Sequence, residues 1–151
     1  MAKKFYVDDD SDRQTDFAAY SPAYLVSNES VSEIINCLFP QGKTALSVVG
    51  SGDIPLYLSA YGATKVDTFD ISINAYLVMR LKMYMLQQDM DKSSYDSVLN
   101  DLSGKREFTK TWAWETVYNA FQDDKDILKY LYEMDGCGIF GAVPVIIHIG
   151  L

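Results

Sequence analysis

A strand, a glycine turn, a short helix and a second strand follow one another between residues 45 and 72. This stretch reads ALSVVGSGDIPLYLSAYGATKVDTFDIS. The apolar run at residues 44–49 is bounded by turn residues, which is typical of a buried parallel strand. Residues 65–70 form the second run, and the helix between the two runs supplies the crossover that parallel strands require. This order predicts an α/β fold, a Rossmann-like parallel sheet with flanking helices.

Capping and stop signals place the helices on either side of the first strand. Ser30 and Glu33 have the spacing of a capping box, which predicts a helix that starts at residue 31 and stops before Pro40. Asp53 is predicted to cap the crossover helix, and Gly62 to end it. Both helices are therefore expected to be short.

The second half of the chain is predicted to be mainly helical. Residues 73–88 carry an apolar stripe at helical spacing that is expected to face the core, with Arg80 and Lys82 pointing elsewhere. The remaining predicted elements are a polar loop with weak helix at residues 89–106, helices at 107–121 and 124–134, and a strand at 145–149.

Length and charge limit the classes of protein to consider. The chain has 151 residues, of which 48% are hydrophobic, enough for one domain with its own core. We interpret residues 1–20 as a polar lead-in and residues 21–151 as a single domain. The net charge of -8 makes nucleic acid and anionic membrane surfaces poor partners.

Cysteine usage and the start of the chain bear on the compartment. Cys37 and Cys137 lie far apart and form no CxxC pair, so they are predicted to be buried free thiols. The first residues carry no apolar run of a signal peptide, and no stretch reaches the length of a membrane span. These features predict a cytoplasmic protein.

The glycine turn is the candidate ligand site. Ligands of open α/β sheets bind at the carboxyl ends of the strands, and Gly50 and Gly52 allow a sharp turn and a close approach to a ligand. Asp70 ends the second strand, where an acid usually accepts hydrogen bonds from the ribose hydroxyls of an adenosine cofactor. The alternative is a tight turn followed by an ordinary strand-end aspartate.

Two cofactors are compatible with such a turn. A dinucleotide such as NAD places its pyrophosphate at the helix N-terminus, but the third glycine of GxGxxG is missing and Asp53 puts a carboxylate there. S-adenosylmethionine has no phosphate and carries a sulfonium and an ammonium. Opposite unit charges about 4 Å apart in a partly wet site attract by roughly 4 kcal/mol before desolvation. The sign of this interaction favours S-adenosylmethionine.

The same stretch resembles a known family. SVVGSGDIPLYLSAYGATKVDTFDIS is similar to the first half of a class I S-adenosylmethionine-dependent methyltransferase. Residues 26–85 resemble more closely the betaine-lipid-type 3-amino-3-carboxypropyltransferases and their bacterial relatives, in which a segment similar to VSNES precedes the first strand. The matching residues are Gly52, Asp53, Asp70, Asn74, Leu81 and Lys82.

This resemblance implies a transferase that uses S-adenosylmethionine. It implies methyl or 3-amino-3-carboxypropyl transfer to a small or lipid-like acceptor; the alternative is a non-catalytic binding module or an inactive domain fragment. The implied cofactor site consists of Gly50, Ser51, Gly52 and Asp53 against the methionine portion, Asp70 at the ribose and Ile71 beside the adenine.

The chain also departs from the family pattern. Val48 stands where an acid often precedes the glycines, and Ile54 replaces the third glycine. The family's sheet is larger than the predicted one, so we expect an incomplete class I methyltransferase fold, truncated at its C-terminus or completed by self-association or a partner chain. No catalytic residue or metal set is recognisable. His148 is interpreted as a packed strand residue, and Trp112 and Trp114 as core rather than acceptor pocket.

Overall fold

The computed structural model describes residues 23–27 and 29–141, and all structural statements below concern these residues. They form a mixed α/β structure in which a small parallel sheet is flanked by helices. In chain order the elements are α1 (Val31–Leu38), β1 (Thr44–Val48), α2 (Asp53–Ala60), β2 (Lys65–Phe69), α3 (Ile73–Gln87), α4 (Lys92–Leu102), a 3-10 turn (Phe108–Lys110), α5 (Trp114–Phe121) and α6 (Lys125–Met134).

The sheet consists of β1 and β2 within the described ranges. The strands are parallel, and the register runs from Thr44 opposite Lys65 to Val48 opposite Phe69. The α/β prediction and both strand positions are therefore confirmed. Burial differs from the prediction: Leu46 is 72% exposed, Val48 53% and Phe69 55%. The expected buried strands are open to solvent here because the core lies among the helices.

Helix α3 is the centre of that core. It is buried on most of its circumference and packs against α5, so its apolar residues form more than the single predicted stripe. Arg80 lies near the edge of this core, where its guanidinium stacks over the ring of Phe121 at 5.0 Å and pairs with Asp124 at 3.3 Å. The largest buried core residues of the helical part are Leu77, Leu81, Met85, Leu102, Phe108, Phe121 and Leu131.

The helix starts near the turn differ from the predicted caps. Ser30 stands at the N-cap of α1, but its side chain makes no capping hydrogen bond. Gly52, not Asp53, is the N-cap of α2, and Asp53 is the first residue of the helix. The reason is that the carboxylate of Asp53 is drawn into contacts with residues outside the helix, as described below.

Helix α4 occupies most of residues 89–106, where the sequence predicted a polar loop with only weak helix. Asp91 caps the helix by accepting a hydrogen bond from the backbone N–H of Ser94 at 3.0 Å. Val98, Leu99 and Leu102 are buried in the core. Val98 and Leu99 lie four and three positions before Leu102, so the three residues share one helix face even though polar residues surround them.

The predicted helix at residues 107–121 is divided in two. The 3-10 turn comes first, and α5 starts at Trp114. Helix α6 confirms the prediction at residues 124–134, with Asp124 as a side-chain cap. Cys37 and Cys137 are free as predicted but exposed, which corrects the expectation of buried thiols.

Several predictions concern residues outside the described ranges. The polar lead-in at residues 1–20, the strand at 145–149 and His148 belong to this group. Among the described helices, none combines the length and the apolar character needed to cross a membrane.

Candidate functional site

The glycine turn and the second strand meet at the carboxyl edge of the sheet. The backbone N–H of Gly50 donates a hydrogen bond to Oδ2 of Asp70 at 2.9 Å. The other carboxylate oxygen, Oδ1, accepts from the N–H of Ser72 at 2.9 Å. Asp70 thus ties the loop after β1 to the loop after β2, although twenty residues separate it from Gly50.

The two glycines of the turn have different roles. Both have positive φ angles, 54° at Gly50 and 81° at Gly52, which side chains rarely adopt. A Cβ at Gly50 would have no atom of the described residues within 4 Å, so this glycine faces open space among them. A Cβ at Gly52 would lie 2.9 Å from Cα of Met79. Gly52 therefore lets the turn pack on α3, whereas Gly50 leaves room for a ligand.

Substituting the two glycines should show this difference in stability. Both Gly50→Ala and Gly52→Ala pay for a positive φ, about 1 kcal/mol each. Gly52→Ala must also displace backbone of α3, and overpacking of this kind costs roughly 1–3 kcal/mol more. We expect Gly52→Ala to have the clearly lower midpoint in urea unfolding. Equal midpoints would mean that the close packing on Met79 does not exist.

Asp53 lies at the centre of a buried polar network. Its Oδ1 accepts from Nζ of Lys82 at 2.5 Å, and its Oδ2 accepts from the backbone N–H of Ser27 at 2.6 Å and from Oγ of Ser51 at 2.9 Å. Lys82 is fully buried on α3, which corrects the expectation that it points away from the core. The network joins the turn, α3 and the segment before α1.

The charges of this network nearly cancel. Burial lowers the pKa of Lys82, and the adjacent carboxylate of Asp53 opposes that shift. Asp53 and a protonated Lys82 together carry no net charge. The attraction of Asp53 for a sulfonium is therefore smaller than the sequence argument assumed, because the charge already has a partner inside the protein.

A groove of about 500 Å³ runs along β1 beside the turn. We call it the edge groove. It is lined by residues 46–48 of β1 and Val49 after them, by the turn residues Gly50 and Ser51, and by Tyr24 and Val26 among others. Its volume lies within the range of small-molecule sites. The groove thus borders the turn, an apolar wall and the VSNES segment at residues 26–30.

Asp53 faces a second cavity instead. That cavity, of about 550 Å³, lies between α2 and α4 and is lined by Asp53, Tyr57 and Tyr95 among others. Burial is the main cause that raises the pKa of Tyr95, with the charge of Asp53 adding to it. Tyr95 therefore stays protonated over the physiological range and could act there only as a neutral hydroxyl.

The six predicted site residues are thus divided by the fold. Gly50, Ser51 and Asp70 lie around the carboxyl edge, where Ile71 is 76% exposed and offers an apolar surface beside Asp70. Gly52 and Asp53 already have partners within the protein. Gly52 packs closely on Met79, and Asp53 pairs with Lys82.

Neither tryptophan lines the edge groove. Trp114 packs against the rings of Phe108 and Tyr132, at 5.8 and 5.3 Å between centroids, which confirms its interpretation as a packing residue. Trp112 is exposed instead and borders a wide cavity with Lys105. Across the described residues, no group of three or more His, Cys, Asp or Glu side chains is arranged to hold a metal ion.

Sequence reasoning missed the inward position of Lys82 and the contact from Ser27. A lysine inside a helix that is otherwise rich in apolar residues was the available signal for Lys82. Ser27 contributes only its backbone N–H, which no side-chain motif reveals. Comparisons with protein families, with curated proteins and with solved structures find no match for this chain.

Proposed function

We propose that this chain is an S-adenosylmethionine-dependent transferase that moves a methyl or 3-amino-3-carboxypropyl group to a small or lipid-like acceptor. The observation that carries the proposal is the hydrogen bond between Gly50 and Asp70. It brings the glycine turn and the strand-end acid together at the carboxyl edge, the position at which α/β sheets bind adenosine cofactors.

The residues around this edge fit the cofactor's chemical groups. Each oxygen of Asp70 accepts one backbone hydrogen bond, so each keeps acceptor capacity for a ribose hydroxyl. Ile71 provides an exposed apolar surface for an adenine ring. The open space at Gly50 accommodates the cofactor chain that links the two.

The reaction demands little from the protein beyond alignment. S-adenosylmethionine supplies a carbon bound to a sulfonium, and the electron pair of the broken C–S bond stays on sulfur as the acceptor's nucleophile bonds to that carbon. The protein's part is to align the two reactants and exclude water. The edge groove beside Gly50 and Ser51 is where an acceptor would be held. No side chain is assigned as a catalytic base.

A non-catalytic module that only binds the cofactor is the second candidate. The exposure of Leu46 and Val48 favours it, because an acceptor site open to water on this scale excludes little solvent. The two candidates differ in product formation alone. Both predict binding of the cofactor at the same carboxyl edge.

Calorimetric titration with S-adenosylmethionine is the first test. We expect a dissociation constant in the micromolar range, about -8 kcal/mol, and no competition from NAD at about a hundredfold excess. No heat of binding by a folded protein would contradict both candidates. Competition by NAD would favour a dinucleotide site instead.

Product analysis then separates the enzyme from the binding module. A turnover mixture should release S-adenosylhomocysteine if methyl is transferred and methylthioadenosine if the 3-amino-3-carboxypropyl group is transferred. The acceptors to offer are small amines, thiols and glycerolipids in detergent. Binding without either product across these acceptors would favour the module.

A further inference from the structure

The wide cavity at the segment between α4 and α5 differs in charge from the chain as a whole. It has a volume of about 800 Å³, and we call it the basic cavity. Its lining contains the cations Lys105, Arg106 and Lys110 and the carboxylates Asp101 and Glu107, which sum to +1. The whole chain carries a net charge of -8. The cavity is therefore a local site of positive charge that favours an anion.

Two of the three cations have no carboxylate partner among the described residues. Lys110 pairs with Glu107 at 2.9 Å. Lys105 and Arg106 take part in none of the six ion pairs formed within the described ranges. They are adjacent in the chain and both are exposed. Two positive charges are thus available to a single ligand in the basic cavity.

Trp112 adds an aromatic surface to the same cavity. Its side chain is 61% exposed, and it takes part in none of the ring contacts among the described residues. The next residue, Ala113, is fully buried, and its N–H donates to Oδ2 of Asp101 at 3.0 Å. The backbone beside the indole is therefore held in place, while the ring itself is open to stacking by a planar group.

Hydrogen bonds also anchor the segment that carries the cations. The carbonyl of Arg106 accepts from the N–H of Gly136 at 2.8 Å. The N–H of Thr109 donates to Oδ1 of Asp135 at 3.2 Å, and its hydroxyl donates to Oδ2. Phe108, between these anchors, is fully buried. Because this backbone is ordered in advance, a ligand would lose less affinity to the ordering of its site.

We propose that the basic cavity binds a small anion in which a planar aromatic ring is joined to a phosphate, as in a nucleoside monophosphate. Trp112 stacks on the ring, Arg106 directs its planar set of N–H donors to the phosphate oxygens, and Lys105 supplies a second positive charge. A phosphate monoester carries about 1.5 to 2 negative charges at neutral pH, which matches two unpaired cations. The edge groove shares no lining residue with the basic cavity, so this site is independent of the proposed function.

An NMR titration of the full chain with guanosine 5′-monophosphate tests the proposal. We expect the indole N–H signal of Trp112, identified by its loss in Trp112→Phe, to shift with a dissociation constant of about 0.1–1 mM. The signal of Trp114 should shift much less. Guanosine, without the phosphate, and ribose 5-phosphate, without the ring, should each bind at least about tenfold more weakly. No shift of Trp112 at about 10 mM nucleotide, or equal affinity for either fragment, would overturn the proposal.

A double substitution tests the two unpaired cations. Lys105→Gln with Arg106→Gln should weaken binding of guanosine 5′-monophosphate at least about tenfold. Lys43→Gln with Lys125→Gln is the matched control: these two lysines are also exposed, form no ion pair with a described residue and do not line the basic cavity. The control makes the same change in net charge and should leave the affinity within about twofold. An equal loss in both double variants would indicate general attraction between charges and overturn the proposal.

The role of the indole has its own test. Trp112→Ala should weaken binding of guanosine 5′-monophosphate at least about tenfold and leave the weaker binding of ribose 5-phosphate unchanged. An equal loss for both ligands would contradict stacking on Trp112. Shifts at the amides of Gly50 and Ser72 in place of Trp112 would assign the nucleotide to the carboxyl edge and overturn the proposal.

Discussion

Lys82→Met is expected to lower the free energy of unfolding by about 3–5 kcal/mol. The substitution keeps the length of the side chain and its packing on α3, but it leaves the carboxylate of Asp53 without its cation. Lys82 is fully buried and lies 2.5 Å from Asp53, whose side chain is 16% exposed, so solvent replaces only part of the lost partner. A loss of this size is a large part of the 5–15 kcal/mol that stabilises a typical domain. Urea unfolding followed by circular dichroism measures it.

Arg80→Met on the same helix is the matched control. Arg80 pairs with Asp124 at 3.3 Å, and both side chains are about a third exposed. Exposed pairs of this kind contribute about 1 kcal/mol or less, with a similar amount for the stacking over Phe121. A Lys82→Met variant no less stable than Arg80→Met would show that the buried pair is not formed.

A double variant measures the interaction energy between Asp53 and Lys82 apart from the contacts that each makes with other residues. Asp53→Asn with Lys82→Met removes both charges and keeps an acceptor oxygen for Ser27 or Ser51. We expect the double variant to be more stable than the sum of the two single losses predicts, because neither charge is left alone. Additive losses would mean that the two side chains do not interact.

The lowered pKa of Lys82 gives a second readout, with a defined sign. The unfolded chain holds this proton up to the usual lysine pKa of 10.5, whereas the folded chain releases it at lower pH. Between the two values the unfolded state binds more protons, so stability rises with pH. The stability gap between wild type and Lys82→Met should therefore widen as pH increases through this window. A constant gap would contradict the shift.

Asp70→Ala is expected to weaken the binding of S-adenosylmethionine at least tenfold, on the order of 1.4 kcal/mol. The substitution removes the acceptors proposed for the ribose and also releases the N–H groups of Gly50 and Ser72. Asp67→Ala is the control, because Asp67 lies on the same strand but is exposed and pairs only with Lys65 among the described residues. Calorimetric titration of both variants under conditions where each is folded measures the difference.

Asp70→Asn distinguishes ribose binding from support of the turn. Asparagine keeps one acceptor oxygen for Gly50 or Ser72 but loses the second, and the amide cannot accept in its place. We expect binding to remain weakened while stability recovers part of the loss caused by alanine. Wild-type affinity in Asp70→Ala would remove the ribose assignment, even if the cofactor binds elsewhere.

The strands and their junction were predictable because they depend on local patterns. Two apolar runs separated by a crossover helix determine a parallel pair, and parallel strands bring their carboxyl ends to one edge. Gly50 and Asp70 meet for that reason. Helix α4 was underestimated as a loop with weak helix because its apolar residues are diluted by serines and aspartates, and only contact with the core selects one face.

The buried network was less predictable because its members come together only through packing. Lys82 contacts Asp53 across twenty-nine residues. A single apolar stripe suggested that Lys82 faces solvent, but α3 is covered from most sides and has little solvent-facing surface. The role of Asp53 changed with it, from a free carboxylate beside the cofactor to the partner of an internal cation.

The positions of the two tryptophans determine what their fluorescence reports. The chain has two such residues: Trp114 is the first residue of α5, and Trp112 lies two positions before it. The fluorescence of Trp114 reports on the ring cluster around Phe108 and Tyr132, whereas Trp112 is exposed and reports on surroundings near solvent. The emission of Trp114 therefore follows the integrity of this ring cluster, and neither indole lines the edge groove beside Gly50. A probe for occupancy of the turn has to be introduced there.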